Sequence, residues 1–210
     1  GDIFAGFVAK NLLPRGCIQR LILATNANDI LTRFVKSGDY SRSQVIPTSS
    51  PSMDIQIASN FERYLYYLHD GDSAALRADM EQFAQSGRLD LSRFRARTAE
   101  DFRSHSVSED ETIATISEFY QKHAYLLDPH TAVGVRAAMA CREERPVICL
   151  ATAHPAKFGA SVQKAIGREA PMPPQLAELA HRESRCEVLD ADVEAVRNFV
   201  VAHALQKSGS

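Results

Sequence analysis

Two short apolar runs constrain this chain more than any other feature in it. Arg20-Leu-Ile-Leu-Ala-Thr25 and Pro146-Val-Ile-Cys-Leu-Ala151 are each continuous and each is followed at once by a polar turn. That is the signature of strands buried on both faces. Helical stretches alternate with them. Asp2 to Lys10 reads as an apolar-faced helix stopped near Leu13-Pro14-Arg15-Gly16. After the first run, Asn26 is placed as an N-cap with Asp29 three positions on, and Ile30, Leu31, Phe34 and Val35 form a helical stripe. Thr131 to Arg142 is the helix before the second run. The alternation predicts an α/β fold, a parallel sheet flanked by helices.

The middle of the chain breaks this rhythm. Ile57 to Leu68 and Ser73 to Gln85 read as consecutive helices, and five arginines fall among the sixteen residues from Arg88 to Arg103, a solvated basic face. Phe102 to Val107 reads as a strand, and Ser108 caps a helix from Glu109 to His123 that opens acidic, as a helix amino terminus prefers. The expected organisation is an α/β domain formed by residues 1–49 and 107–205, with a mostly helical insertion at 50–106. In the tail, Gln175 to Arg182 is expected as a short helix, Cys186 to Leu189 as a strand and Ala191 to Leu205 as the closing helix.

Composition excludes several classes. With 45% hydrophobic and 24% charged residues the chain has the makings of a packed core and is not disordered overall. A net charge of −2 gives no electrostatic footprint for nucleic acid or an anionic membrane surface. No run approaches the roughly 18 apolar residues of a membrane span, and nothing at the start reads as a secretory leader. Cys17, Cys141, Cys149 and Cys186 form no CxxC pair, so neither a zinc knuckle nor a redox dithiol is signalled, and a reducing cytoplasm suits them. The GxSxG, HExxH and P-loop signatures are absent. Ser104-His105-Ser106 places its side chains on opposite faces of a strand and makes no catalytic pair.

Chemistry concentrates in the two turns after the apolar runs, where open α/β sheets place their ligands. The first is Ala24-Thr-Asn-Ala-Asn-Asp29 and the second Ala151-Thr-Ala-His-Pro155. Each also has a plain reading as a helix cap. Arg33 lies one turn beyond Asp29; it forms an i,i+4 ion pair or meets a phosphate bidentately. Asp128-Pro129-His130 reads as an N-cap with a first-turn histidine, or as a functional pair held by a rigid residue.

Six segments, in order, carry a resemblance: Gly1-Asp-Ile-Phe-Ala-Gly6, Ala24-Thr-Asn-Ala-Asn-Asp-Ile-Leu31, Ser50-Pro-Ser-Met-Asp54, Ser59-Asn-Phe-Glu-Arg63, Asp128-Pro-His-Thr-Ala-Val-Gly134 and Ala151-Thr-Ala-His-Pro-Ala-Lys-Phe158. Together they resemble the carboxyl-terminal portion of the threonine synthase family of fungi and many bacteria. That family is similar to the tryptophan synthase β group, the type II pyridoxal-phosphate enzymes. The resemblance implies conversion of O-phosphohomoserine and water to threonine and phosphate, with pyridoxal phosphate as cofactor and electron sink. It implies that Gly1 and Asp2 end a loop that cradles the cofactor phosphate at a helix amino terminus. It also implies that the hydroxyl of Thr152 meets the ring nitrogen. Asn26, Asp29 and Arg33 are the candidate contacts for the substrate phosphate. Another type II lyase, such as a threonine dehydratase, and a non-catalytic relative that binds a phosphorylated amino acid are the alternatives.

One departure matters. The family's Schiff-base lysine lies in an amino-terminal stretch similar to HGPT-x-AFKD, which these 210 residues do not contain. Six lysines are present, Lys10, Lys36, Lys122, Lys157, Lys164 and Lys207. The family pattern puts Lys157 after the ring-nitrogen turn, not at the imine. No catalytic residue is therefore assigned here, and the expected partner is the amino-terminal half of the enzyme.

Overall fold

The protein, seen as a computed structural model, is described over residues 3–179, 182–184 and 186–204. It divides into two compact units, residues 1–171 and 172–210. The first unit is built on a parallel pair of strands. Strand β1 (Leu21–Thr25) pairs with β4 (Phe102–Ser106), Leu21 opposite Phe102 and Thr25 opposite Ser106. Helix α1 (Ile3–Leu12) precedes β1 and α2 (Ile30–Ser37) follows it. A short antiparallel pair, β2 (Asp39–Ser41) with β3 (Arg88–Asp90), brackets α3 (Phe61–Leu68) and α4 (Ser73–Ser86). Helix α5 (Arg95–Asp101) leads directly into β4. Then come α6 (Glu109–His123), α7 (Pro129–Ala140), a 3-10 turn at Pro155–Phe158 and α8 (Gly159–Ile166).

Two apolar layers cover the faces of the pair. Leu21, Leu23 and Phe102 join Ile3, Phe34, Tyr40, Phe61 and Tyr64, so α1, α2 and α3 pack on one side. Its aromatic rings interlock: Tyr40 stacks on Phe61 with centroids 4.1 Å apart, and Tyr64 meets Phe102 edge-on at 5.1 Å. Ile22 and Ala24 face the other way, onto Val107 and onto Val133 and Ala137 of α7. Period-2 alternation along β1 thus feeds two cores.

Polar latches tie the first helix to the layer. The Tyr64 hydroxyl donates to Asp101 Oδ2 at 3.0 Å, and Lys10 on α1 pairs with Asp101 Oδ1 at 2.5 Å. Burial, reinforced by the Asp101 charge, pushes the Tyr64 phenol well above its usual value, so it stays a donor. The arginine-rich stretch is a solvated face, as its sequence implies: Arg88, Arg93, Arg95, Arg97 and Arg103 are all exposed, and Arg93 and Arg97 also make tertiary bonds. Arg97 caps α3 by donating to the Tyr67 and Leu68 carbonyls and to Asp70, while Arg93 pairs with Asp79, which also bonds His69.

Local chemistry explains the helix limits. Ser108 and Glu111 form a reciprocal capping box on α6, as its Ser-Glu-Asp-Glu opening implies. Asp128 caps α7, as the N-cap reading of Asp128-Pro129-His130 has it: its carboxylate accepts from the His130 and Thr131 backbone N–H groups, and the helix begins at Pro129 rather than at Thr131.

Three expectations are corrected. Pro146 to Ala151 forms no ladder among the described residues; Ile148 is 88% exposed and Leu150 78%. A strand needs a neighbour for its N–H and C=O groups, and none among the described residues offers one. Asn26 does not cap α2, because its side chain is engaged elsewhere and Asp29 holds the cap position. Cys186 to Leu189 is not a strand, and Val188 stands open to solvent. The second unit consists of α9 (Pro174–Leu179) and α10 (Val193–His203), the latter capped by Asp192.

Candidate functional site

The carboxyl ends of β1 and β4 meet at a polar loop. The Val107 N–H donates to the Thr25 carbonyl, and Ser106 Oγ to the Asn26 carbonyl at 2.9 Å, closing the edge of the sheet. Asn26 is 2% exposed. Its amide nitrogen donates to Thr48 Oγ1, Ser50 Oγ and Asp54 Oδ1, at 2.8, 3.0 and 2.7 Å. Its amide oxygen accepts the Asn28 backbone N–H at 2.9 Å. Asp54 is the other hub: Oδ1 also accepts from Asn28 and from the Thr48 hydroxyl, and Oδ2 from the Thr48 N–H. Asn28 reaches the Ile46 carbonyl at 2.8 Å. These bonds wrap residues 46–54 around the end of β1. Glu109, at the start of α6, adds a fourth anchor by accepting the Ser49 N–H and hydroxyl.

Asp29 and Arg33 form the expected i,i+4 pair at 3.0 Å. Arg33 also grips Asp39 and donates to the Ser41 carbonyl, so all three of its nitrogens have acceptors and α2 is locked to β2. Burial would raise the Asp39 carboxyl, but bonds from Ser41 and Arg33 outweigh it and hold it below the usual carboxylate range. A lowered folded value stabilises the fold above the unfolded value of about 3.9 and is lost as pH falls through the folded one. Amides of β2 should therefore lose exchange protection on acidification before those of β1. Simultaneous loss would contradict the latch.

A second hub sits at the start of α7. The Asp128 carboxylate, 1% exposed, accepts the His130 and Thr131 N–H groups, the Thr131 hydroxyl and His130 Nδ1. Thr131 Oγ1 accepts the Thr152 backbone N–H at 3.2 Å. His130 Nε2 accepts the Ser52 N–H at 3.3 Å, and its ring lies 4.9 Å from that of Phe158. His154 Nδ1 accepts the Ala156 N–H, closing the turn that carries Thr152. The Thr152 side chain is exposed, and its hydroxyl has no hydrogen bond among the described residues.

The structure thus joins the 50–54 loop, the start of α7 and the turn at 152–158 at one end of the parallel pair. Asn26 lies beneath this cluster, whereas Asp29 and Arg33 form a separate latch toward β2. Lys157 is exposed on the 3-10 turn, and Gly1 and Asp2 lie outside the described residues. Sequence reasoning passed over Asp54, Glu109 and Thr131 as organisers. The signal for Asp54 was its place at the end of the Ser-Pro turn; nothing local marked Glu109.

Residues 131–200 match the family described as "Threonine synthase, C-terminal". The threonine synthase of Pseudomonas aeruginosa is 45% identical over 208 residues, covering 97% of this chain and 44% of that protein. Among solved structures, the threonine synthase of Brucella melitensis with bound pyridoxal phosphate shares 43% identity at a TM-score of 0.86, with 97% of this chain and 44% of that one covered. The yeast enzyme follows at 36% identity and a TM-score of 0.81, covering 95% and 44%. The chain spans under half the length of these relatives. It belongs to the threonine synthase family, and it corresponds to the carboxyl-terminal portion.

Proposed function

We propose that this chain forms one wall of the active-site cleft of a cytoplasmic threonine synthase, which converts O-phospho-L-homoserine and water to L-threonine and phosphate. The observation that carries this reading is the 152–158 turn. Its backbone is fixed by Thr131 and His154, yet Thr152 is exposed and its hydroxyl has no hydrogen bond among the described residues. A rigid turn with a free hydroxyl fits the ring nitrogen of pyridoxal phosphate, the cofactor bound by the Brucella relative. When bound, that cofactor supplies the electron sink that carbanion chemistry at the substrate requires. Thr152 would hold the ring nitrogen by one neutral hydrogen bond, without the charge that would force a proton onto it. Gly1 and Asp2, ahead of α1, are proposed for the cofactor phosphate, where a helix start offers free N–H groups.

Asn26, Asp29 and Arg33 take a different part from direct grip on the substrate phosphate. The Asn26 amide and all three Arg33 nitrogens already have partners, and Asp29 Oδ1 is taken up by Arg33, so these residues shape the cleft from beneath and behind. The reading keeps residues 1–49 and 107–205 as part of the cofactor-binding layer, with 50–106 inserted into it. Because these 210 residues lack the lysine-bearing stretch, the proposal includes that they are inactive by themselves.

In the complete enzyme, Thr152→Val keeps the shape of the side chain and leaves the ring nitrogen unpaired. Losing one partner of a buried hydrogen bond costs about 1–3 kcal/mol, so turnover should fall roughly tenfold or more. Thermal stability should be unchanged. Normal turnover would refute the assignment, and lost stability without a kinetic defect would make Thr152 a structural residue only.

A further inference from the structure

Among the described histidines, His130 alone touches both the 50–54 loop and the 152–158 turn from outside them. Its side chain is 9% exposed. Nε2 accepts the Ser52 N–H, so that nitrogen presents a lone pair and the ring hydrogen sits on Nδ1. Nδ1 faces Asp128 Oδ1 at 3.2 Å, the same oxygen that caps α7. The ring is therefore oriented by a buried carboxylate on one side and used as an acceptor on the other. Its plane meets Phe158, the last residue of the turn that begins at Thr152.

We propose that His130, in its Nδ1–H form, is a positioning residue that locks the Ser50–Asp54 loop to the Thr152 turn. The inference rests on the reading of this end of the sheet as the threonine synthase cleft, but its mechanical part stands apart from that reading. The other anchors of the loop, Asn26, Asn28 and Glu109, come from the turn after β1 and from the start of α6, and none of them bonds the 152–158 turn. Without His130, Thr131 still holds the Thr152 backbone, but Ser52 and Phe158 lose their common contact.

Two replacements separate the functions of the ring. A glutamine places its amide oxygen near the position of Nε2 and can accept from Ser52. An asparagine reaches only the position of Nδ1 and leaves Ser52 without an acceptor. The experiment is amide hydrogen exchange on the complete enzyme, followed by steady-state kinetics with O-phosphohomoserine. His130→Asn should speed exchange at Ser52 about tenfold while leaving Asn28 protected, and His130→Gln should restore most of the protection. In the same variants kcat should fall with His130→Asn and recover with His130→Gln. Unchanged exchange at Ser52 in His130→Asn overturns the lock, whatever the fate of Thr152→Val. Faster exchange with normal kcat and KM overturns the positioning role while leaving the contact intact. A kinetic defect that His130→Gln does not relieve, despite restored exchange, also overturns it. If wild-type enzyme acts on no O-phosphohomoserine, the functional reading fails, and the exchange result alone decides the lock.

Discussion

Replacing Asn26 with alanine should cost about 3 kcal/mol or more of folding stability and should loosen the whole 46–54 loop. The magnitude follows from what the amide leaves behind. Asn26 is buried and joins Thr48, Ser50, Asn28 and Asp54. Its removal takes a donor from the Asp54 carboxylate and an acceptor from the Asn28 N–H. Each buried polar group left unpaired costs about 1–3 kcal/mol, and more where the group is charged. Ser52 on the flank of the loop is exposed, whereas Asn26 is buried, so the groups it leaves are shielded from water. Denaturant unfolding measures the loss. It also decides between two roles for this residue. An organiser lowers stability and disturbs every loop contact together. A phosphate ligand would raise KM for O-phosphohomoserine and leave stability within about 0.5 kcal/mol of normal, as substitutions away from packed networks do.

Gly38→Ala should be at least as damaging, for a backbone reason. Gly38 ends α2 in the left-handed region, with φ at 85°, and its N–H donates to the Phe34 carbonyl at 2.8 Å. Its own carbonyl accepts the Leu91 N–H, binding the end of α2 to the residue just after β3. A Cβ added there would lie 2.4 Å from both the Cα and the nitrogen of Ser92. The left-handed conformation alone costs a residue with a Cβ roughly 1–2 kcal/mol. The collision is with backbone, which cannot swing aside as a side chain can, so the β2–β3 pair must move. A total of about 3–5 kcal/mol is expected, the range of the most disruptive single substitutions. A loss below about 1 kcal/mol would mean that the 38–92 approach is looser than described. Because the clash lies between the end of α2 and Ser92, away from the 50–54 loop and the 152–158 turn, kcat in the folded fraction should be preserved.

Much of this architecture was legible in the residues. The β1 run, the stripe of Ile30, Leu31, Phe34 and Val35, and the Ser108 capping box each follow from local chemistry, and each appears where that chemistry places it. The Asp29–Arg33 pair was visible by spacing. What escaped was non-local. An apolar run becomes a strand only with a neighbour, so Pro146 to Ala151 carried the right composition and no ladder. Asn26 had the right identity for a cap, but a denser network with residues 48–54 competed for its amide. Glu109 binds Ser49 sixty residues away, which no window of sequence can show. The candidate site was found through motif order, and its mechanics came from three hubs, Asn26, Asp54 and Asp128, that tie the motifs together.

The account stands or falls on where the cofactor-anchoring lysine resides and whether this wall completes its cleft. The direct measurement is phosphate release from O-phosphohomoserine, with pyridoxal phosphate present, by two polypeptides: these 210 residues alone, and the same residues joined to the amino-terminal portion of the Pseudomonas aeruginosa relative. Borohydride trapping and peptide mapping accompany each assay. The account predicts release by the joined polypeptide only, with the cofactor fixed to a lysine outside these 210 residues. Release by the 210 residues alone, with one stoichiometrically labelled lysine such as Lys157, would contradict it, as would a folded, cofactor-loaded joined polypeptide that releases no phosphate.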